Sequence, residues 1–510
     1  MTPSVAMRIR FARWRALAAV ARLAHRWSRS GTRRFAWSAR HAGALAEQLS
    51  APAAAVTARR ALRTVPAYRE LVGDAGACGL VARRPGDWLA ALPVTSKRGY
   101  VDRFPLAARC AGGAIPRSGC ELDESAGSSG APYTWIRSEG ELADVHRSLA
   151  LLARHLLPVG ERPFVVLNAF SMGAWATGTN VAVALRAIGT VKSCGPDVDK
   201  LLGTIVLLGD EPAYVVCGYP PFLRTLLDAA VERGVDLSRL TMYGFVGGEG
   251  MTEAGRARLE RTFVRVWSAY GASDLDIGVA AETPVAVWLR RRAAADPDLA
   301  QALFGRVDRL PMVFQYDPCD YFVETVDREL VVTVTRPMLS PRIRYNVGDE
   351  GGTLPFAAAM AACRAAGLDP AEGEARPFRL PFLFVHGRSD QTLSYMGANL
   401  YPEDVAAGIG DSRAADVLGA FCMELAEIDD DEVRPVVHIE APPAADVDPA
   451  EVAAAIRRRL ATLSADFRAA LDESPAAGDL RVRLWDPGTG PFAANAGRIK
   501  QRRVVPAVAR

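Results

Sequence analysis

The 510-residue sequence has few lysines, few histidines and no closely spaced cysteines. Only four of its 61 basic residues are lysine (Lys97, Lys192, Lys200 and Lys500), so each lysine is a local exception in an arginine-rich chain. The eight cysteines include no CxxC pair, and the six histidines are scattered. These spacings argue against a disulfide framework and a structural zinc site, and they favour a reducing, cytoplasmic location.

Long apolar runs and a strong net charge are also missing. No window approaches the ~20 consecutive apolar residues of a membrane-spanning helix, so we expect a soluble protein. The formal net charge of +3 creates no strong field, and no nucleic-acid partner is expected. Half of the residues are apolar and 23% are charged, which is typical of a globular chain with a large core.

Residues 1–46 contain no Asp or Glu but ten arginines, interleaved with aromatic and aliphatic residues at helical spacing. The pattern predicts a basic amphipathic helix or helix pair within a first segment, residues 1–63. We favour packing of its aromatic stripe on the main domain. Attachment to an anionic membrane surface or an acidic partner stays open, as does a less favoured organelle transit peptide.

The rest of the chain predicts an α/β protein with a large domain (64–388) and a small mobile α+β domain (389–510). Helices alternate with buried strands of a largely parallel sheet, and a β-rich subdomain around 311–346 flanks it. The predicted buried strands are 164–167, 205–208, 214–216 and 265–267.

Small and hydroxyl-bearing residues follow one another from Ser125 to Pro132. Glycines let the backbone close around a ligand, while amide and hydroxyl groups donate hydrogen bonds to phosphate oxygens. The run lacks the lysine of a P-loop, which disfavours a P-loop nucleotidase. A solvated surface loop is the alternative.

Two further turns carry carboxylates. Tyr270, Gly271, Ser273 and Asp274 follow a predicted strand, where open α/β sheets bind ligands. This turn offers an aromatic face for a base and a carboxylate for magnesium. Asp349 lies in a second turn, and a carboxylate there suits the vicinal hydroxyls of a ribose.

In order, these segments make the chain resemble the adenylate-forming (ANL) superfamily, and within it the phenylacetate:CoA ligase-like branch. The matching segments are VPAYREL (65–71), LPVTSK (92–97), GGE (247–249), YGASD (270–274), GVAAE (278–282), GRSD (387–390) and the GRIK tail (497–500).

The resemblance assigns roles to individual residues. Residues that would hold the ATP phosphates are Ser125, Gly127, Ser128, Ser129 and Gly130; those that would flank the adenine are Gly248, Glu249 and Tyr270, with Gly271 and Ser273 in the same turn. Asp274 would support Mg²⁺. Asp349 would bind the ribose with help from Arg388. Asp390 would be the hinge, and Gly397 would line the thiol channel. Lys500 would bridge the acid and the α-phosphate; because Arg498 holds the usual lysine position, loss of that lysine is the alternative.

The acyl pocket is expected around Phe170, Met172, Gly173 and Trp175, with core packing as the alternative role for Met172 and Trp175. The implied function is ATP- and Mg²⁺-dependent activation of an aromatic or medium-sized carboxylic acid, followed by transfer to coenzyme A. Transfer to a carrier-protein thiol or to an amine in a natural-product pathway stays open. So does a degenerate, non-catalytic nucleotide-binding scaffold. The sequence predicts no oligomeric state.

Overall fold

A computed structural model describes residues 5–73, 84–125, 132–160, 162–307, 310–388, 392–428, 432–443 and 445–495. The predicted site residues Gly127 to Gly130, Asp390 and Lys500 lie outside these ranges. The described helices are α1 (Val5–Ser28), α2 (Thr32–His41), α3 (Gly43–Thr64), α4 (Pro66–Val72), α5 (Pro85–Ala90), α6 (Glu139–Leu156), α7 (Ala176–Leu185), α8 (Val198–Leu208), α9 (Pro220–Glu232), α10 (Glu253–Leu259), α11 (Pro284–Ala295), α12 (Pro297–Phe304), α13 (Phe356–Ala365), α14 (Pro402–Gly410), α15 (Pro449–Leu463) and α16 (Ala465–Glu473).

The strands form one large sheet and three small ones. They are β1 (Cys120–Ser125), β2 (Tyr133–Ser138), β3 (Phe164–Asn168), β4 (Thr190–Ser193), β5 (Ala213–Gly218), β6 (Met242–Gly247), β7 (Arg265–Ala272), β8 (Asp276–Ala281), β9 (Met312–Tyr316), β10 (Tyr321–Val326), β11 (Glu329–Val334), β12 (Tyr345–Leu354), β13 (Phe382–Arg388), β14 (Leu393–Tyr395), β15 (Ala398–Leu400), β16 (Phe421–Ile428), β17 (Glu432–Glu440) and β18 (Arg481–Trp485).

The large sheet has 11 strands in the order β10-β11-β12-β13-β9-β8-β7-β6-β5-β3-β4. Strands β4, β3, β5, β6 and β7 run parallel to one another. The other six strands of the sheet (β8, β9, β13, β12, β11 and β10) each run antiparallel to their neighbours. Every residue of β3 and β5 is buried, as expected for parallel strands covered on both faces. The α/β fold class is confirmed, and the flanking β-rich region continues the same sheet.

The predicted strand at 205–208 is wrong, because these residues end helix α8. Asp197 caps the helix by accepting a hydrogen bond from the Lys200 backbone nitrogen, and Gly209 ends it with φ +64°. Val206 and Leu207 are 65% and 81% exposed. A short apolar run fits a buried strand and a helix equally well, and here the caps decide.

Helix α1 packs along α3, and α3 in turn contacts strands β10 and β11 of the large sheet. Phe11 and Trp14 are buried, and the Phe11 ring meets the Trp88 ring edge-on at 5.4 Å. Arg29 bridges Asp317 and Asp320, each at 2.9 Å. Among the described residues, no helix combines the length and apolar character needed to cross a bilayer.

The smaller lobe contains the sheet β16-β17-β18, the hairpin β14-β15 and helices α14 to α16. Its buried apolar side chains, such as Ile456, form one continuous cluster with those of the parallel sheet, such as Val215. The two lobes therefore face each other across the carboxyl ends of the parallel strands.

Candidate active site

A cavity of 1470 Å³ lies between the two lobes. The large lobe lines it with residues at or beyond the carboxyl ends of β3, β5, β6 and β7, where open α/β sheets bind ligands. The small lobe contributes residues from 392 to 399, from β16 to β18 and from α16. Among the sequence-predicted residues, those that line the cavity are Ser125, Phe170, Trp175, Gly248, Glu249, Tyr270, Gly271, Ser273, Asp274, Asp349, Arg388 and Gly397.

Asp349 and Arg388 face each other on the paired strands β12 and β13. Asp349 is buried, and its Oδ1 lies 3.6 Å from Nη1 of Arg388. Arg388 also donates to the Val347 carbonyl at 3.0 Å. The Arg388 guanidinium therefore places a positive charge beside the Asp349 carboxylate at the cavity wall.

Tyr270 also contacts Asp349 at this wall of the cavity. Its hydroxyl donates to Oδ2 of Asp349 at 2.5 Å, and its ring stacks on Phe314 at 5.9 Å. Burial, and then the adjacent Asp349 charge, raise the pKa of the Tyr270 hydroxyl well above its ordinary value, so it remains a donor.

A second carboxylate, Asp274, lies at the end of the β7 turn. Its Oδ2 accepts a hydrogen bond from the Tyr345 hydroxyl at 2.9 Å and lies 3.6 Å from the Lys97 ammonium. An isolated parallel bridge between Thr95 and Tyr345 brings Lys97 to this position. The sequence-based predictions assign Lys97 no role, although its rarity among 61 basic residues was a usable signal.

Glu249 and Gly397 join the lobes. Glu249 follows β6, and its Oε1 accepts a hydrogen bond from the Gly397 backbone nitrogen at 3.1 Å. Removal from water raises the pKa of the Glu249 carboxyl to about 8. Gly397 has φ +84°, and a Cβ there would lie 2.5 Å from the Tyr219 hydroxyl oxygen, so this close approach requires glycine.

A second contact between the lobes involves residues that the sequence did not single out. Ser171 Oγ donates to Oε2 of Glu473 on α16 at 2.5 Å and accepts from the Tyr219 hydroxyl at 3.3 Å. Burial raises the pKa of both Glu473 and Tyr219, the latter to about 12. Tyr219 directly follows strand β5, so the strand-end rule could have identified it.

The deeper wall of the cavity is apolar. Helix α6 contributes Leu149, Leu152 and Leu156, which share one face because they are three, four and seven residues apart. Further apolar lining comes from Val181, Leu185, Phe245, Trp267 and Ile277 together with Phe170 and Trp175. Such a wall favours an apolar ligand body.

Two predicted pocket residues lie elsewhere. Met172 is half-buried with its sulfur 3.8 Å from Nδ2 of Asn168, and Gly173 is exposed with φ +90°. Neither lines the cavity. Ser125 lines it at the end of β1, where its hydroxyl accepts a hydrogen bond from Trp135 Nε1 at 2.8 Å.

Glu282, the glutamate of the GVAAE segment, joins helix α10 to strand β7. It is fully buried and forms a bidentate ion pair with the equally buried Arg256. The same carboxylate accepts a hydrogen bond from the Ser268 backbone nitrogen at 2.7 Å. The pair therefore links helix α10 to strand β7, which ends at Ala272 directly before the turn that carries Ser273 and Asp274.

No protein-family model matches the chain, and no curated protein matches it. Among solved structures, it is similar to a 2-hydroxyisobutyryl-CoA ligase in complex with 2-HIB-AMP and CoA in the thioester-forming state, with TM-score 0.62, 15% identity and coverage of 92% of this chain and 91% of that chain. The same ligase in its post-adenylation state gives TM-score 0.51, 14% identity and coverage of 90% and 89%.

A third similar structure is amide bond synthetase McbA from Marinactinospora thermotolerans, with TM-score 0.42, 16% identity and coverage of 86% of this chain and 85% of that chain. The likeness to the CoA ligase extends over both lobes and establishes the fold. The chain therefore has the two-lobed α/β fold of this CoA ligase, while the adenylate-forming superfamily and its phenylacetate:CoA ligase-like branch stay predictions.

Proposed function

We propose that the chain is an ATP-dependent ligase that joins an apolar carboxylic acid to coenzyme A through an acyl-adenylate. The observation that carries the proposal is the convergence of Ser125, Asp274 and Asp349 on one cavity between two lobes. These residues lie up to 224 positions apart in the sequence, and each has the chemistry that a different part of ATP requires.

The nucleotide would lie across the carboxyl ends of the parallel strands. Asp349, held by Arg388 and Tyr270, accepts the two ribose hydroxyls. Gly248 and Glu249 lie on the adenine side, and Ser125 lines the phosphate end of the cavity. The run from Gly127 to Gly130 that follows in the sequence would supply amide and hydroxyl donors to the phosphates.

Asp274 fits a magnesium ion that enters with the nucleotide. Its Oδ2 is already shared by Tyr345 and Lys97, so the carboxylate offers one oxygen, Oδ1. Magnesium is commonly held by one or two carboxylates plus phosphate oxygens, and it neutralises phosphate charge when bound. Lys97 adds a second positive charge from the protein itself.

The first half-reaction joins two anions. A carboxylate oxygen attacks the α-phosphorus, the new acyl–phosphate bond forms, and the bond to the β-phosphate breaks with release of pyrophosphate. Lys97 stabilises the charge near the phosphates, and the lobes exclude water from the cleft. Lys500 would add the cation that aligns the acid with the α-phosphate.

The acid would be apolar beyond its carboxylate. The face formed by Leu149, Leu152 and Leu156 continues to Phe245 and Trp267 in the lining of the cavity. An aromatic or medium-chain acid would bury its body there and gain roughly 25 cal/mol for each Å² removed from water.

The second half-reaction requires a thiol to reach the acyl carbonyl. The thiol sulfur bonds to the carbonyl carbon, the proton leaves the thiol, and AMP departs. Gly397 would line the thiol's approach, and Asp390 would be the hinge of the small lobe. In support, the chain superposes better on the CoA ligase in its thioester-forming state than in its post-adenylation state, at TM-scores of 0.62 and 0.51.

A pyrophosphate-release assay with ATP, Mg²⁺ and a panel of acids tests the proposal. Octanoic and benzoic acids should release pyrophosphate, and the polar control succinic acid should not. Adding coenzyme A should then yield an acyl-CoA detectable by mass spectrometry. Absence of pyrophosphate with every acid would identify a non-catalytic scaffold and refute the proposal. If an acyl product forms only after a carrier protein or hydroxylamine is added, the acceptor is a carrier-protein thiol or an amine instead of coenzyme A.

A further inference from the structure

Helix α1 has two apolar stripes, and only one of them is buried by the protein. Phe11, Trp14, Ala18 and Ala21 pack inward. The second stripe consists of Ile9, Ala16, Val20, Leu23 and Trp27, and its four larger members are 65%, 51%, 66% and 46% exposed. At 100° per residue the five side chains fall within an arc of about 60° on the side opposite the buried stripe.

The exposed stripe continues onto helix α2. Trp37 is 53% exposed and meets Trp27 edge-on, with ring centroids 5.5 Å apart. The Arg34 guanidinium lies 5.8 Å from the centre of the Trp27 ring. We call the surface made by Ile9, Ala16, Val20, Leu23, Trp27 and Trp37 the aromatic face.

Arginines surround the aromatic face. The exposed ones are Arg13, Arg15, Arg22, Arg26, Arg33 and Arg34. Residues 1–46 contain no acidic side chain, and the ion pairs that Arg29 makes are buried with Asp317 and Asp320. Across the described part of the chain, Arg13, Arg22 and Arg26 have no acidic partner within ion-pair distance.

We propose that the aromatic face docks α1 and α2 flat on an anionic membrane surface. Tryptophan favours the level of the lipid headgroups, and arginines keep their charge in the headgroup layer while their methylenes cover apolar surface. A helix that carries one exposed apolar stripe between arginines, without being apolar all round, lies in the plane of the membrane interface. An anionic lipid surface supplies the negative charge that the arginines lack within the protein.

A second copy of the chain is a poorer occupant. A two-fold symmetric contact would place the same arginine-rich, acid-free surface on both sides, so that like charges would meet across the interface. This proposal does not depend on the ligase assignment, because the aromatic face is separate from the residues that line the cavity.

A second exposed apolar site provides a matched control. Val206 and Leu207 on α8 and Val231 on α9 are 65%, 81% and 81% exposed. Their helices carry acidic residues, including Asp199 and Asp228, rather than arginines alone. Apolar exposure at this site is therefore comparable, while its cations are paired with carboxylates: Lys200 with Asp197, Arg224 with Asp228 and Arg233 with Asp199.

Co-sedimentation of the full chain with vesicles tests the proposal. The protein should sediment with vesicles of phosphatidylcholine and phosphatidylglycerol in equal parts and remain in solution with phosphatidylcholine alone. The double variant Leu23→Ser, Trp27→Ser should bind about tenfold more weakly or worse, because it removes the apolar contact. Leu207→Ser, Val231→Ser should bind like the wild type.

The variant Arg22→Gln, Arg26→Gln changes only exposed side chains and should lower both affinity and its salt dependence. Thermal melting verifies that each variant is folded, and pyrophosphate release should be unchanged in all of them. Wild type that stays in solution with the anionic vesicles, or that binds both vesicles equally, would overturn the proposal. So would an oligomer that dissociates in the Leu23, Trp27 variant without any change in vesicle binding.

Discussion

Replacing Asp349 by asparagine tests the ribose site with the least change in shape. The substitution keeps the side-chain volume and one acceptor oxygen but removes the negative charge. The Arg388 guanidinium retains its hydrogen bond to the Val347 carbonyl at 3.0 Å, so the strand pair β12-β13 keeps a local link. The main expected effect is therefore on the ligand.

The expected loss follows from the geometry. In the wild type, Asp349 accepts a hydrogen bond from the Tyr270 hydroxyl at 2.5 Å, and a bound ribose would donate two more to the same carboxylate. Hydrogen bonds to a charged group contribute about 1.5–3 kcal/mol each, and those to a neutral group about 1 kcal/mol. Loss of the charge at two such bonds should cost about 2 kcal/mol, which is a roughly 30-fold higher Kd for ATP.

Titration calorimetry with ATP and with 2′-deoxy-ATP measures this effect. Wild type should bind the deoxy analogue more weakly than ATP, whereas Asp349→Asn should show little difference, since the partner of the 2′-hydroxyl is altered. Asp317→Asn is the matched control, because it also neutralises a carboxylate that is paired with an arginine, here Arg29. This control should bind ATP like the wild type. An unchanged Kd for ATP in a folded Asp349→Asn protein would refute the ribose assignment.

Three other predictions concern the lobe contact, the tail and the core. Burial in the contact raises the pKa of Glu249 from 4.5 to about 8, so closure of the lobes favours the protonated carboxyl. The stabilisation of the closed state by protonated Glu249 is therefore fully present below pH 4.5 and is lost as the pH rises through about 8. Thioester formation from supplied acyl-adenylate should fall over that range, and Glu249→Gln should flatten the profile; an unchanged profile would contradict the assignment. Lys500→Ala should slow adenylation at least 100-fold and spare thioester formation, with Arg498→Ala as its control; normal pyrophosphate release would move the role to Arg498 or remove it. Glu282→Ala should lower the free energy of unfolding by about 3 kcal/mol, measured by urea denaturation, because the buried Arg256 loses its fully buried bidentate partner and keeps Glu253 at 3.2 Å; a change below about 1 kcal/mol would show that the pair is not coupled to stability.

Local sequence patterns were sufficient to predict an element when the residues that determine it lie within one short segment. The strand at 164–167 was predictable because a short apolar run between Pro163 and Asn168 is typical of a buried parallel strand. The turn predicted at Tyr270–Asp274 is correct only in part, because β7 extends to Ala272 and places Tyr270 and Gly271 in the strand, while Ser273 and Asp274 lie in the turn. The run at 205–208 failed because four apolar residues do not define a period, and the helix there depends on its caps.

The arrangement of the site required the tertiary structure. Lys97 lies beside Asp274 only because Thr95 pairs with Tyr345, 250 residues away. Ser171 and Glu473 meet only because the small lobe packs over the strand ends. Such contacts depend on how whole elements pack. A local sequence pattern therefore cannot predict which residue, hundreds of positions away, will be the partner.

Composition likewise determined that the first helix is basic and amphipathic, with ten arginines and no acid in residues 1–46. It did not determine which apolar side chains the protein itself covers. Packing against α3 buries Phe11 and Trp14 and leaves Leu23 and Trp27 in solvent. The order of residues thus sets the period of each stripe along the helix, while the neighbouring elements decide which stripe becomes core and which remains surface.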